Sequence, residues 1–224
     1  MEENIRKYVH KPTLRHFHGE ELRKLWKHYD DYGLVSTPDL LDYAPNCEWL
    51  PSPVDIDFIM KHKVKKDYED NRKVRVAHYP YYLKSTTRKE DYYSSALKDL
   101  EDKDLIEVVK IIDLPYATAL KTVSSCDIAI GKMIPDIGYY GRFELEAMVM
   151  GIPTISYVRQ DLYERYEPGV FCCDINNFAE KLLELVEDSQ LRKTYGERGY
   201  NYTRKYHDVK KVTDQLLTVY SKFI

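Results

Sequence analysis

The sequence is poor in the features that mark zinc-binding, disulfide-bonded and membrane-spanning proteins. Its four cysteines form no C-x-x-C pair, and its histidines show no ligand spacing with cysteines or acids. This pattern argues against a zinc site and predicts reduced cysteines in a cytoplasmic chain. No apolar run is long enough to span a bilayer, and no signal peptide is recognised.

A strong charge bias is also absent. The formal net charge is −3, so the basic surface of a nucleic-acid-binding protein is not expected. Lysines concentrate only at residues 61–66, which we interpret as a solvated linker. A weak attraction of this run to anionic membrane surfaces is the alternative, so membrane contact is expected to be peripheral at most.

What the chain does have is enough apolar material for a core, with 43% hydrophobic residues in 224. This length predicts one domain and part of another. From residue 73 the predicted strands alternate with helices, which is typical of a parallel sheet covered on both faces. Such α/β sheets bind ligands at the carboxyl ends of their strands, near the point where the strand order reverses.

The predicted strands of this main domain are 74–78, 105–112, 127–131, 154–158 and 170–174. The predicted helices are 88–100, 116–125, 142–150, 178–186, 190–204 and 209–223.

The first part of the chain carries few elements. Residues 13–17, 33–36 and 48–50 are predicted strands, with a helix over 20–29 and a helical turn beginning at Thr37-Pro38. So small a set buries little surface and leaves an edge open. We expect residues 1–55 to be a remnant of a second domain, 56–72 a linker and 73–224 the main domain. An exposed apolar face is expected on the remnant, formed by Leu34, Val35, Trp49 and Leu50.

The most informative stretch is residues 138–155, Gly-Tyr-Tyr-Gly-Arg-Phe-Glu-Leu-Glu-Ala-Met-Val-Met-Gly-Ile-Pro-Thr-Ile. It predicts a glycine loop, a helix, a tight turn and a strand. A glycine loop before a helix presents free N–H groups and the positive end of the helix dipole, where phosphate oxygens bind. Glu146, on the second turn, is placed to reach a sugar hydroxyl beside that phosphate. The loop has neither the G-x-G-x-x-G nor the P-loop pattern, so an ordinary loop–helix–strand unit is the alternative.

Several segments resemble the C-terminal half of a retaining GT-B glycosyltransferase of the group 1 (family 4) type. The most specific is Tyr140-Gly141 with Glu146-Ala147-Met148, Gly151 and Pro153, which is similar to the family's Gly-x4-Glu-Ala-Met-x2-Gly-x-Pro donor-site core. The segments 18–23, 35–41, 49–55, 78–89 and 198–220 are similar to other parts of such enzymes, so the likeness covers nearly the whole chain.

The resemblance implies a Rossmann-like domain that binds a nucleotide-diphospho-sugar and an enzyme of the hexosyltransferase type (EC 2.4), without a metal or other cofactor. It implies diphosphate contacts from Lys84, Arg88 and Lys89, a base resting near Leu114, and a ribose held by Glu146. The donor loop is implied to be Gly138, Tyr139, Tyr140, Gly141 and Arg142. His18 is the candidate catalytic residue, because it is similar to a histidine that contacts the transferred sugar. The alternatives are that Lys84, Arg88 and Lys89 are solvated cations without a ligand, and that His18 is a structural or an exposed histidine.

The sequence departs from the family pattern at the first acid of the donor motif, where Gly138 stands. Glu144 is not expected to replace this acid, because it lies two residues from Glu146 and points elsewhere on the helix. Asp55-Ile56-Asp57 spells a D-x-D metal triplet, but we interpret it as a capped turn in the crossover.

The partial first domain leads to an expectation about partners. We expect an oligomer, or a separate chain that supplies the acceptor domain, with a glycan, lipid or protein as the acceptor. Three alternatives stay open: a sugar-nucleotide epimerase of the same fold, a non-catalytic nucleotide-sugar-binding subunit, and an interaction module that binds no nucleotide.

Overall fold

Two parallel β-sheets organise the protein, one of three and one of five strands. The structure, a computed structural model, describes residues 13–65, 72–80 and 93–223. Within these ranges the strands are β1 (Arg15–Phe17), β2 (Gly33–Val35), β3 (Glu48–Trp49), β4 (Val74–His78), β5 (Ile106–Lys110), β6 (Ile128–Ile130), β7 (Thr154–Ser156) and β8 (Phe171–Cys172).

The α-helices are α1 (Ile56–Met60), α2 (Ser94–Asp102), α3 (Tyr116–Ser124), α4 (Arg142–Val149), α5 (Gln160–Tyr166), α6 (Phe178–Glu187), α7 (Ser189–Tyr206) and α8 (Val209–Ser221). A π-helical segment at Glu21–Trp26 and a 3-10 turn at Pro38–Asp42 complete the regular structure. The chain divides into two compact units, Met1–Pro53 with Val209–Ile224, and Val54–Asp208.

The first unit is built on the small sheet, whose order is β1-β2-β3. All its pairs are parallel, with Arg15 opposite Gly33 and Leu34 opposite Glu48. Because successive side chains of a strand point to opposite faces, the side chains of β2 belong to two separate hydrophobic clusters. Val35 packs with Phe17, Leu22 and Leu40, whereas Leu34 packs with Leu50, Val212 and Val219.

The expectation of an exposed apolar face on this unit is wrong. Leu34, Val35 and Leu50 are all buried, and Trp49 is half-buried with its indole N–H donating to the Ser36 carbonyl at 3.2 Å. The reason is α8, which returns to the first unit and lays Val212 and Val219 over one face of the sheet. A contact between residues 34 and 219 is not readable from local pattern.

The second unit is a five-stranded parallel sheet of order β5-β4-β6-β7-β8. Its strands and helices form two hydrophobic core clusters. One includes Ala129 and Met148, and the other includes Ile128 and Phe178. Consecutive residues of β6 thus enter opposite faces, as expected of a strand buried on both sides. This architecture confirms the α/β class expected from the sequence.

The strand order reverses between β4 and β6. The chain goes from β4 outward to β5, and then back across β4 to β6, β7 and β8. The carboxyl ends of β4 and β6 therefore flank the crevice in which open α/β sheets bind their ligands. His78 and Ile130 are register partners at this end, and the loop after β6 starts directly beyond them.

Two helices were not predicted. α1 lies inside the expected linker, where Asp55 caps it by accepting the Phe58 N–H at 2.8 Å. This capping agrees with the capped-turn interpretation of Asp55-Ile56-Asp57. α5 follows β7 in a polar stretch in which only Leu162 is buried. The assignment of residues 1–55 to a domain remnant stays a prediction. In the described residues, no helix is both long and apolar enough to cross a membrane.

Candidate functional site

The loop between β6 and α4, residues 131–141, lies at the carboxyl end of the middle strand of the sheet. Gly138 has a φ of +66°, in the left-handed region that favours glycine. Its carbonyl accepts the Arg159 N–H at 3.0 Å, and its own N–H donates to the Ile134 carbonyl at 3.1 Å. The residue at the family's first-acid position therefore serves a sharp turn of the loop, and it has no side chain to offer a ligand.

Tyr139 and Tyr140 turn their side chains into the protein. Both are buried, the Tyr139 hydroxyl lies 2.8 Å from the Tyr202 hydroxyl, and the Tyr140 hydroxyl lies 2.9 Å from His207 Nε2. Burial raises the pKa of both phenols well above the ordinary value, and it raises the pKa of Tyr202 to about 12. These hydroxyls stay protonated and anchor the loop to α7, so both side chains are part of the core and not of the loop surface.

α4 begins directly after the loop, with Gly141 in extended conformation as its N-cap. The first N–H groups of a helix have no carbonyl of their own helix to bond. They add to the positive end of the helix dipole at this point. The helix is held by α7 at close range, because a Cβ on Gly199 would come within 2.8 Å of Met148 Cγ. This contact packs the C-terminal turn of α4 closely on α7.

Glu146 lies on the second turn of α4 and is the best-placed acid of the site. Its Oε1 accepts the Tyr116 hydroxyl at 2.8 Å and the Arg142 Nε–H at 3.0 Å. Among the described residues no donor bonds its Oε2. Burial, followed by the hydrogen bond to Glu146, raises the pKa of Tyr116. One carboxylate oxygen is therefore held by protein and the other is available to a hydroxyl.

The turn between β5 and α3 borders this carboxylate through Tyr116. Leu114 is 38% exposed and Tyr116 is 46% exposed, although both are large and apolar in part. The Tyr116 ring stacks on Phe58, with centroids 6.0 Å apart and planes at 6°. Asp113 has a φ of +50°, which sets the sharp exit from β5. The predicted base-binding segment is thus an exposed turn next to Glu146.

Sequence reasoning missed two residues, Lys132 and Glu144. The Glu144 carboxylate is fully buried and accepts the Lys132 N–H at 2.7 Å. Glu144 does point away from Glu146, as expected, but it points under the loop. The one sequence signal for a buried Glu144 is its place beside apolar helix residues, because Leu145, Ala147 and Met148 follow it and are buried as well.

The remaining predicted residues either lie outside the described residues or belong to the first unit. Lys84, Arg88 and Lys89 lie outside the described residues. His18 belongs to the first unit, where it is exposed and its backbone N–H donates to Glu21 Oε1. The His16 ring is 4.2 Å from that of His18, and burial followed by the nearby His18 charge lowers the pKa of His16 to about 4.

A cavity of about 500 Å³ lies elsewhere in the second unit. Its lining includes Asp127, Gly151 and Pro153, which precede β6 and β7, and Lys63 and Arg192. It therefore opens at the amino ends of the strands, at the opposite edge of the sheet from the loop. Within the described ranges, no three histidine, cysteine, aspartate or glutamate side chains are grouped as a metal site would need.

Comparison with known proteins identifies the family of the chain and its fold. The sequence model of the family described as glycosyl transferase-like matches residues 102–218, more than half of the chain. No curated protein sequence matches the chain.

Solved structures resemble the chain in fold at low sequence identity. Sucrose-phosphate synthase from Thermosynechococcus elongatus has a TM-score of 0.61 at 13% identity, over 99% of this chain and 70% of that one. Anabaena HepE, crystallised with UDP and glucose, has a TM-score of 0.65 at 12% identity, over 93% and 71%. The GtfA/B complex has a TM-score of 0.53 at 14% identity, over 84% and 45%. These matches confirm the expected GT-B type fold.

Proposed function

The chain belongs to the glycosyl transferase-like family, and on this premise we propose that it binds a nucleotide-diphospho-sugar and transfers the sugar to an acceptor. One observation carries the proposal. Glu146, the acid of the motif, stands at the strand-order reversal with one oxygen held by Tyr116 and Arg142 and the other available. A ribose hydroxyl is a suitable donor to that oxygen.

The diphosphate would lie at the N-terminus of α4. There the unbonded N–H groups and the dipole favour negative charge. The same groups would stabilise the charge that develops on the diphosphate as it leaves the sugar. We keep the sequence prediction that Lys84, Arg88 and Lys89 add cations, and we propose that transfer needs no metal ion and retains the configuration of the sugar.

The base would rest on the turn at residues 112–115, next to Leu114. This turn is exposed and leads into Tyr116, so a nucleoside held by Glu146 would lie against it. UDP-sugars are the first donors to test, because the similar fold of HepE was crystallised with UDP and glucose. His18 stays the candidate for contact with the transferred sugar.

Titration calorimetry tests donor binding directly. UDP-, GDP- and ADP-sugars are titrated into the protein with and without EDTA, and into the Glu146→Ala variant. Glu180→Ala is the matched control, since Glu180 is an exposed acid of α6. Binding of one nucleotide-sugar that is lost in Glu146→Ala and kept in the control supports the proposal. No binding of any of the three by the wild type contradicts it.

The acceptor side is proposed to come from a second copy or a separate chain, and the protein is proposed to act in the cytoplasm. The described sheet of the first unit has three strands of two or three residues, which is a small platform for an acceptor. Molar mass in solution and turnover with and without candidate acceptors test this. A monodisperse monomer that transfers sugar briskly would refute the need for a partner. Donor binding without turnover would instead favour a non-catalytic subunit.

A further inference from the structure

The backbone of Lys132 is fixed at the carboxyl edge of the five-stranded sheet. Its N–H donates to Glu144 Oε1 at 2.7 Å. Its carbonyl accepts the Tyr157 N–H at 2.8 Å and the Ser156 hydroxyl at 3.0 Å. Three hydrogen bonds from two elements therefore hold this residue just beyond β6, beside the point where the strand order reverses.

The side chain of Lys132 extends to the start of α4. A Cβ placed on Gly141 would collide with Lys132 Nζ, and it would lie 3.4 Å from Glu144 Oε2. The ammonium group and the buried carboxylate therefore flank the N-cap of the helix. Lys132 is partly exposed, whereas Glu144 is fully buried. Of the two side chains, only the lysine is accessible to a ligand.

The signs of the charges at this point are informative. A buried carboxylate such as Glu144 is costly unless it is hydrogen-bonded and compensated by a nearby cation. An ammonium group at a helix N-terminus is itself unfavourable, because it meets the positive end of the dipole. Glu144 offsets this repulsion from inside. An anion bound from outside would be attracted by both the ammonium group and the helix.

We infer that Lys132 is a diphosphate-binding residue of the donor site and that Glu144 is the residue that positions it. This inference rests on the proposed function and adds a cation that comes from the core of the sheet, independent of Lys84, Arg88 and Lys89. A side chain at position 141 would then displace the ammonium group from the helix terminus.

The test compares ligands with and without the diphosphate. Affinities for UDP and for uridine are measured in the wild type and in Lys132→Met, Lys132→Arg and Lys98→Met. If the wild type prefers another base, the nucleoside diphosphate and the nucleoside of that base are used. Methionine keeps the length and volume of the stem without the charge. Lys98 is the control because it is an exposed lysine on α2. If Lys132→Met fails to fold, Lys132→Met/Glu144→Gln removes both charges together and is measured in its place.

We expect Lys132→Met to lower UDP affinity at least tenfold and to leave uridine affinity unchanged. Lys132→Arg should recover part of the loss, and Lys98→Met should resemble the wild type. An equal loss for UDP and uridine would show a merely structural role and overturn the inference, as would an unchanged affinity for both. A wild type that binds no nucleotide refutes the proposed function itself, and that result needs no variant.

Discussion

Replacing Glu146 by alanine should weaken nucleotide-sugar binding by about 10- to 150-fold. A hydrogen bond to a charged acceptor contributes about 1.5–3 kcal/mol, and each 1.4 kcal/mol corresponds to about tenfold in the dissociation constant. No part of this range of about 1.5–3 kcal/mol is discounted, because the Glu146 side chain is only 14% exposed and water screens its charge little. The acceptor in question is Oε2, which the described residues leave unbonded.

The same substitution should hardly change the stability of the fold. The two partners of Oε1, Arg142 and Tyr116, keep access to water, with 55% of the Arg142 side chain and 46% of Tyr116 exposed. Their lost bonds to Glu146 are therefore replaced by water, and the expected loss is at most about 1 kcal/mol. Circular dichroism and thermal unfolding of Glu146→Ala serve as the control for an intact protein.

A thermodynamic cycle that combines Glu146→Ala with deoxy ligands identifies which ribose hydroxyl bonds the Glu146 carboxylate. Nucleotide-sugars that lack the 2′- or the 3′-hydroxyl should bind the wild type more weakly. One of them should bind Glu146→Ala as well as the complete ligand does, because the hydrogen bond is already absent. Losses that simply add, for both deoxy ligands, would refute the contact between Glu146 and the ribose. Unchanged affinity of a folded Glu146→Ala would refute the role of the residue altogether.

Four further outcomes are expected. Tyr140→Phe should lower the free energy of unfolding by about 1–3 kcal/mol in a denaturant titration, because it removes a hydrogen bond between two buried side chains, Tyr140 and His207; a change below about 0.3 kcal/mol would contradict the anchor. The pKa of His16 is about 4 in the folded protein and 6.5 without burial, so the stability that its neutral form contributes is complete above pH 6.5 and is lost as the pH falls toward 4. His16→Asn should therefore make the free energy of unfolding less dependent on pH between 6.5 and 4. An unaltered pH dependence would contradict this prediction. Alkylation after denaturation should find four free thiols by mass spectrometry, and a native disulfide would be inconsistent with the cytoplasmic proposal. EDTA should leave the affinity for nucleotide-sugar unchanged, whereas a collapse on chelation would exclude the metal-independent mechanism.

The main sheet was predictable because its strands carry a local signal. Val74–His78 is rich in valine and Ile128–Ile130 is apolar throughout, and such runs alternate with helices whose apolar faces are evident. α5 lacked such a signal, since it buries only Leu162 and ends at Glu167, whose φ of +46° is a conformation usually taken by glycine.

The site was predictable where a motif marks it and unpredictable where distant residues meet. Glu146 and Gly141 stand out by their spacing on a loop and a helix. The contact of Lys132 with Glu144 joins residues 12 positions apart across that loop, and no periodicity reports it. The buried pairs of Tyr139 with Tyr202 and of Tyr140 with His207 span more than 60 positions, which is why these tyrosines were assigned from sequence to the ligand.

Because Tyr139 and Tyr140 are anchored inside the protein, the loop has one part that must stay unchanged for stability and another part that tolerates mutation. Residues 134–137 are partly or fully exposed, and their backbone is closed by the bonds from Ile137 and Gly138 to the Ile134 carbonyl. A randomised library restricted to Pro135, Asp136 and Ile137 would therefore sample new surfaces at the mouth of the crevice while the tyrosine anchors keep α4 in place. Selection from such a library tests whether this part of the loop contributes to ligand binding.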